Sequence, residues 1–301
     1  LNIPTISQFL ENNGQDIRTL YHSNNCWTSL KRAAGRIAYK DDVITKRLEK
    51  GMANLLHHNT VSFLHFIELF IDGSKQYLDT KNYKYALMLY YALFQDRLDK
   101  TGFASIYEAL ELIHKEMYSY FKQEISEIIS YLLAHLQLKT MPLGEDVLPG
   151  LELYGCYTRE EIFTLVGRQT EARKMQGSVT GVFNLSECNA TLLFVTLNKS
   201  DKDFSPSTQY NDYFINEHYF HWQSQNTDSH QNNGGQRYTK QADTQNKIIL
   251  FVREEKKDGY GNTCPFHCFG LVEYMSSHDD FPMNITWKLQ QPAMAQYVKA
   301  I

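Results

Sequence analysis

Met141-Pro142-Leu143-Gly144-Glu145-Asp146-Val147-Leu148-Pro149-Gly150 decides how this chain is read, because two prolines and two glycines in ten residues break both the helical and the strand period. The stretch 141–150 reads as a linker between two halves of different texture. Backwards from it, the apolar spacing is helical. Residues 102–138 repeat Tyr118, Phe121, Ile125, Ile128, Ile129 and Leu132 at helical intervals. Residues 83–98 carry Tyr85, Leu87, Leu89, Tyr90 and Leu93 so densely that a helix there must be buried. Residues 60–71 are nearly all apolar and stop at Asp72-Gly73, and further helices are predicted over 42–58, 26–34 and 5–13, the last two ending before Gly35 and Gly14. Aromatic stripes of this kind are core rather than ligand sites, so residues 1–140 read as a helical arm.

Forwards from the linker the pattern changes to strands. Thr158-Arg159-Glu160-Glu161 is a capping box that opens a short helix ending at Gly167. Candidate strands follow over 181–185, 190–197, 219–225, 247–253, 269–274 and 284–289. The polar stretch 226–243 reads as a mobile loop, and a closing helix over 293–300 would cover an open edge. The expected class is α+β, with an all-helical N-terminal arm or bundle followed, over 151–301, by a mixed, strand-rich module.

The totals agree with two cores of moderate size: 301 residues, 43% hydrophobic and 21% charged. No apolar run approaches the roughly 18–20 residues of a membrane span, and Leu1-Asn2-Ile3-Pro4 lacks the layout of a signal peptide, so a cytoplasmic (bacterial) protein is expected, without membrane association. A start at Leu1 rather than Met hints at an excised piece. Cys26, Cys156, Cys188, Cys264 and Cys268 are too scattered for a disulfide framework and read as reduced thiols. Residues 1–140 hold 16 Lys and Arg against 15 Asp and Glu, and residues 141–301 hold 14 against 19, giving +1 and −5. Neither half has the bulk basicity of an obvious nucleic-acid binder.

No phosphate-binding glycine loop, dinucleotide fingerprint or His-Glu-x-x-His motif occurs, which removes the common nucleotide- and zinc-dependent hydrolases. Cys264, His267 and Cys268 place three soft ligands within five residues, yet a zinc site needs a fourth, and they read as buried thiols beside an edge strand. Glu254 and Lys256 have the acid-x-Lys spacing of metal-dependent nucleases. With Lys257, Asp258 and Gly259 behind them, they read as a solvated turn. The densest constellation spans 199–213 and 218–225. Its aromatics Tyr210, Tyr213, Phe220 and Trp222 can stack on a base, while Asp212, Gln223, Ser224 and Gln225 can read a polar base edge. An aromatic-rich sheet face is the competing reading. Arg168, Arg173, Lys174, Lys199, Lys202, Arg237 and Lys240 are candidate phosphate contacts.

Tyr157-Thr-Arg-Glu-Glu-Ile162, Leu193-Phe-Val-Thr-Leu-Asn-Lys-Ser200, Asp203-Phe-Ser-Pro206, Tyr210-Asn-Asp-Tyr213 and Phe220-His-Trp-Gln-Ser-Gln225 resemble the C-terminal domain of unknown function that follows a phospholipase-D-type nuclease and a DEAD/DEAH-box helicase. Phe251-Val-Arg-Glu254 and Gly270-Leu-Val-Glu-Tyr274 continue the resemblance, which runs over about 151–299. The best-known proteins of that architecture are the SauUSI-type, type IV restriction enzymes. The resemblance implies a target-recognition fragment similar in fold to SRA methylcytosine readers, a PUA-like, partly open barrel. It would bind double-stranded DNA carrying methylated or hydroxymethylated cytosine and flip the modified base. Two of Tyr210, Tyr213, Phe220 and Trp222 would sandwich that base, Asp212 would accept from its exocyclic amine, and Gln223 or Gln225 would add edge contacts. The fragment itself would be non-catalytic and hold no cofactor or metal, while the parent would use ATP and Mg. Its partners would be the helicase and nuclease domains of the parent chain, and the aromatic-rich helices leave a homodimer open. The alternatives are an independent metal-dependent nuclease on Glu254 and Lys256, and an interaction or autoinhibitory module that clamps a helicase.

Overall fold

The structure is a computed structural model that describes residues 3–144, 147–175, 180–199 and 211–298. It divides into two compact units: Leu1–Thr140 with Arg159–Gly177, and Met141–Thr158 with Ser178–Ile301. The stretch read as a linker therefore begins the second unit, and the short helix after it belongs to the first. No helix among the described residues is long and apolar enough to cross a membrane.

The first unit is helical: α1 (Ile6–Asn13), α2 (Trp27–Ala33), α3 (Val43–Gly51), α4 (Val61–Ile71), α5 (Tyr83–Phe94), α6 (Leu98–Thr101), α7 (Ile106–Glu111), α8 (Ser119–Ala134) and α9 (Arg159–Leu165). Local signals set the starts. Thr5 caps α1 in a reciprocal box with Gln8, and Asp42 does the same for α3 with Thr45. Nine consecutive residues of α5, Ala86 to Phe94, are buried, as expected of a helix that is apolar all round. Helices α3, α7 and α9 pack on α5, while α1, α2 and α4 pack on α8. Gly51 ends α3 where a Cβ would lie 2.7 Å from the Cα of Leu93, so the close approach of α3 to α5 requires glycine.

The second unit is a mixed sheet with short helices, so the chain as a whole has the α+β architecture. Its strands are β1 (Met141–Pro142), β2 (Glu152–Leu153), β3 (Cys156–Tyr157), β4 (Val182–Leu185), β5 (Ala190–Thr196), β6 (Tyr213–Phe214), β7 (Tyr219–Gln223), β8 (Lys247–Arg253), β9 (Phe266–His278) and β10 (Asn284–Leu289). β1 and β2 form a separate pair. The large sheet runs β4-β5-β8-β9-β10-β7-β6, with β3 also on β9. β5 and β8 are parallel, and the other pairings are antiparallel. One core takes Leu193 and Val195 from β5, Ile248, Leu250 and Val252 from β8, Ile285 and Trp287 from β10, and Phe214, Phe220 and Trp222 from β6 and β7. Side chains from both ends of the strand path meet in it, so the sheet curls around this core without closing, and β4 and β6 remain its edges.

Two expectations fail locally. Residues 226–243 are a loop only as far as Asn232, and the rest is helical. Asn232 caps α10 (Asn233–Thr239), α11 (Gln241–Thr244) follows, and Tyr238 enters the core against Trp222 and Trp287. The polar composition hid one anchoring ring and the Gly235 contact, where a Cβ would meet the Ser229 carbonyl at 2.1 Å. β9 is also far longer than 269–274, because register shifts opposite Leu250/Phe251 and Thr286/Trp287 interrupt its alternation without ending it. The closing helix is the short α12 (Ala295–Val298), whose Tyr297 joins the core.

One carboxylate organises the first unit. Glu124 of α8 is fully buried, and its two oxygens accept the backbone N–H groups of Trp27 and Thr28, each at 2.8 Å. Those donors open α2 and have no partner within the helix. Replacing Glu124 with Ala orphans both and is expected to cost on the order of 3–5 kcal/mol, read as a lower urea midpoint. Glu124→Gln, which keeps one acceptor, should lose less, and an unchanged midpoint in Glu124→Ala would contradict the capping role.

Candidate functional site

The two-residue period of β6 and β7 sorts the residues of the candidate pocket into an inner and an outer set. Along β7, Phe220 and Trp222 point inwards and Tyr219, His221 and Gln223 outwards; along β6, Phe214 points inwards and Tyr213 outwards. Phe220 meets Phe214 with ring centroids 4.7 Å apart, and Trp222 stands edge-on to Tyr238 at 5.1 Å. Both rings are core, so neither can sandwich a base. Tyr210 and Lys202 lie outside the described residues.

Asp212 also departs from its assigned role. Its Oδ2 lies 2.6 Å from the Lys199 Nζ, and its Oδ1 accepts the Gln223 backbone N–H at 2.9 Å. Both side chains of the ion pair are buried. Burial pushes the Asp212 carboxyl up, opposed first by the Lys199 charge and hydrogen bond. With both oxygens occupied, Asp212 is not placed to read a base edge, and Lys199 is not placed to meet a phosphate. Lys199 follows β5 and Asp212 precedes β6, so the pair ties an interior strand of the curled sheet to its edge strand β6. The Gln223 amide is engaged as well, accepting from the Asn211 backbone N–H at 2.7 Å and donating to Asn284 Oδ1 at 3.0 Å. Ser224 is fully buried and accepts the Met283 N–H, while the Gln225 carbonyl takes the Ser224 hydroxyl and the Asp228 N–H.

What remains presented is a stacked pair. Tyr213 is 41% exposed, and its ring lies 4.7 Å from that of His221 with planes 15° apart. The His221 Nδ1 is 2.8 Å from the Asn211 carbonyl. A carbonyl only accepts, so in the neutral ring Nδ1 carries the hydrogen and Nε2 is an acceptor. Thr286 pairs with His221 across β10, and Ser276 with Thr286 across β9, so the rung ends in hydroxyls. His221 and Asn211 lay inside the quoted constellation without an assigned role; strand alternation was the signal that separates them from Phe220 and Trp222.

The basic residues do not form one track within one unit. Arg168, Arg173 and Lys174 belong to the first unit. There the Arg173 Nε donates to the Arg168 carbonyl, and the Lys174 Nζ to that of Gln95. Arg237 and Lys240 sit on and beside α10, Arg237 near Asp228 and Tyr238, and the Lys240 Nζ on Gln236 Oε1. Glu254 and Glu255 are exposed in the turn after β8, and among the described residues no group of three metal ligands includes them. Nor does such a group include Cys264, His267 and Cys268: Cys268 is core, where burial pushes its thiol up to about 12, and the His267 Nδ1 is 2.6 Å from the Tyr297 hydroxyl.

Residues 151–300 match the family model described as Domain of unknown function (DUF3427). No curated protein matches the chain.

The Lys199–Asp212 pair generates a sharp expectation. Lys199→Met leaves a buried carboxylate uncompensated and is expected to cost about 3–5 kcal/mol in urea unfolding, most of it regained in Lys199→Met/Asp212→Leu. A Lys199→Met protein of unchanged stability would return that lysine to the set available for phosphate.

Proposed function

We propose that this chain is a non-catalytic recognition segment of an ATP-dependent, type IV restriction enzyme, and that it reads methylated cytosine in DNA on the outer face of β6, β7 and β10. The helicase and nuclease domains of the parent chain would supply the ATP- and Mg-dependent steps. What supports the reading, beside the resemblance of 151–299 to the terminal domain of such enzymes, is the presentation of Tyr213. Its neighbours in sequence and register, Phe214, Phe220 and Trp222, are consumed by the core, whereas Tyr213 keeps an aromatic face in solvent, braced from behind by His221.

In this reading the extruded base stacks on the solvent face of Tyr213, and His221, stacked on the opposite face, fixes the orientation of that ring. The Lys199–Asp212 pair and the Gln223–Asn284 amide contact hold the rung in place rather than touch DNA. One aromatic face gives modest discrimination. A pocket contact to a single methyl group is worth about 1–3 kcal/mol, so preference for the methylated duplex is roughly 10- to 200-fold.

Gel-shift titration of the 301-residue chain with matched methylated and unmodified duplexes tests this. The chain should prefer the methylated duplex. Tyr213→Ala, which removes an exposed ring and leaves the core intact, should weaken binding about 5- to 150-fold, the range expected for one base–aromatic stack. Equal affinity for both duplexes, an unaffected Tyr213→Ala protein, or capture of the helicase domains by a chain without DNA affinity would each overturn the proposal.

A further inference from the structure

A second cluster of chemistry lies in the first unit, in residues that the DNA reading does not use. His57 and His58 follow the 3₁₀ turn Met52–Leu55, and Glu161 projects from α9 more than one hundred positions later. The His57 Nε2 is 2.8 Å from Glu161 Oε2, and the His58 Nε2 is 3.3 Å from Glu161 Oε1. The candidate ligand atoms of all three residues lie within 4.8 Å of one another. Tetrahedral zinc, with bonds of about 2.0–2.1 Å to nitrogen and oxygen, sets its ligands roughly 3.3 Å apart. The two histidine-to-Glu161 separations, 2.8 and 3.3 Å, lie just below and at that value.

His58 is the observation that a simple ion pair leaves unexplained. Its side chain is fully buried, and neither ring nitrogen has a hydrogen-bond partner among the described residues, the approach of Nε2 to Glu161 lacking hydrogen-bond geometry. A buried polar group without a partner costs about 1–3 kcal/mol. A cation between Nε2 and the carboxylate would answer for that nitrogen. Burial favours the ligating form of His58 by lowering it towards neutrality, against the Glu161 charge. Burial would raise Glu161, but the nearby His57 and His58 rings outweigh it and hold the carboxyl well below its ordinary range.

We propose that His57, His58 and Glu161 form a binding site for one divalent transition-metal cation of the zinc class, with two imidazole Nε2 atoms and the Glu161 carboxylate as ligands. Imidazole donors select zinc, cobalt or nickel over magnesium and calcium. His57 retains 15% side-chain exposure, so a water can complete the coordination. The site acts as a clip. It fixes α9 to the turn before α4, at the far end of a segment that Lys84, Tyr91 and the Leu98 N–H also hold through the carbonyls of Leu165, Thr170 and Glu171.

The test is metal analysis and titration of the full 301-residue chain with zinc, and with cobalt as an optical probe. One zinc per chain, tetrahedral cobalt absorption without thiolate charge-transfer bands, and a higher melting temperature with metal are expected. Glu161→Gln and His57→Ala, each checked for native circular dichroism, should lower zinc affinity on the order of 100-fold or more. His58→Gln should do the same, although the other two suffice if it does not fold. Failure of the chain to bind zinc or cobalt, or binding that survives Glu161→Gln and His57→Ala but falls in Cys264→Ser, would overturn the proposal. None of these outcomes depends on DNA.

Discussion

The constraint on which the second unit depends is the parallel pairing of β5 with β8, in unbroken register from Ala190 opposite Lys247 to Thr196 opposite Arg253. All seven residues of β5 and the central five of β8 are buried, so this pair occupies the interior of the sheet and not its rim. Parallel neighbours cannot be joined by a tight turn. The chain must leave after Thr196 and return at Lys247, and on that excursion it lays down β6, β7, α10 and α11. The Tyr213–His221 pair of the candidate recognition face is thus built from the crossover itself, and β10 completes the face. The Lys199–Asp212 ion pair ties the start of that excursion to the entrance of β6, where the side-chain exposure of the sheet changes from core to surface.

The strands of that interior were legible because they are short apolar runs bounded by polar turns, and five of the six expected strands appear within about two residues of their predicted bounds. The helices of the first unit were legible for a related reason, since Thr5, Asp42 and the glycines after α1 and α2 punctuate them. Hidden from sequence were contacts that require distant residues to meet. The polar segment 226–243 looked unanchored because a single ring, Tyr238, holds it to the core. Glu124 carries no local sign of its capping role, because its partners lie about one hundred residues earlier.

The candidate site shows the same limit more sharply. The aromatic and polar residues around 210–225 were correctly a cluster in sequence, but clustering cannot say which side of a strand a ring occupies. Alternation could have done so: Phe220 and Trp222 share a parity, and His221 and Gln223 share the other. Asp212 looked available because its partner Lys199 stood in a different role, and only proximity reveals that the two satisfy each other. His57, His58 and Glu161 had no local signature at all. Thr158 to Glu161 was read as a helix start, and the two histidines as the tail of another.

A ligand that settles on the outer rung should protect the backbone beneath it, so hydrogen–deuterium exchange of the whole chain, with and without a methylated duplex, addresses the central claim most directly. The account predicts slowed exchange over 211–223 and across β10, with the buried amides of β5 and β8 unchanged. Protection confined to the helical unit, or an identical exchange pattern with and without duplex under saturating conditions, would contradict it.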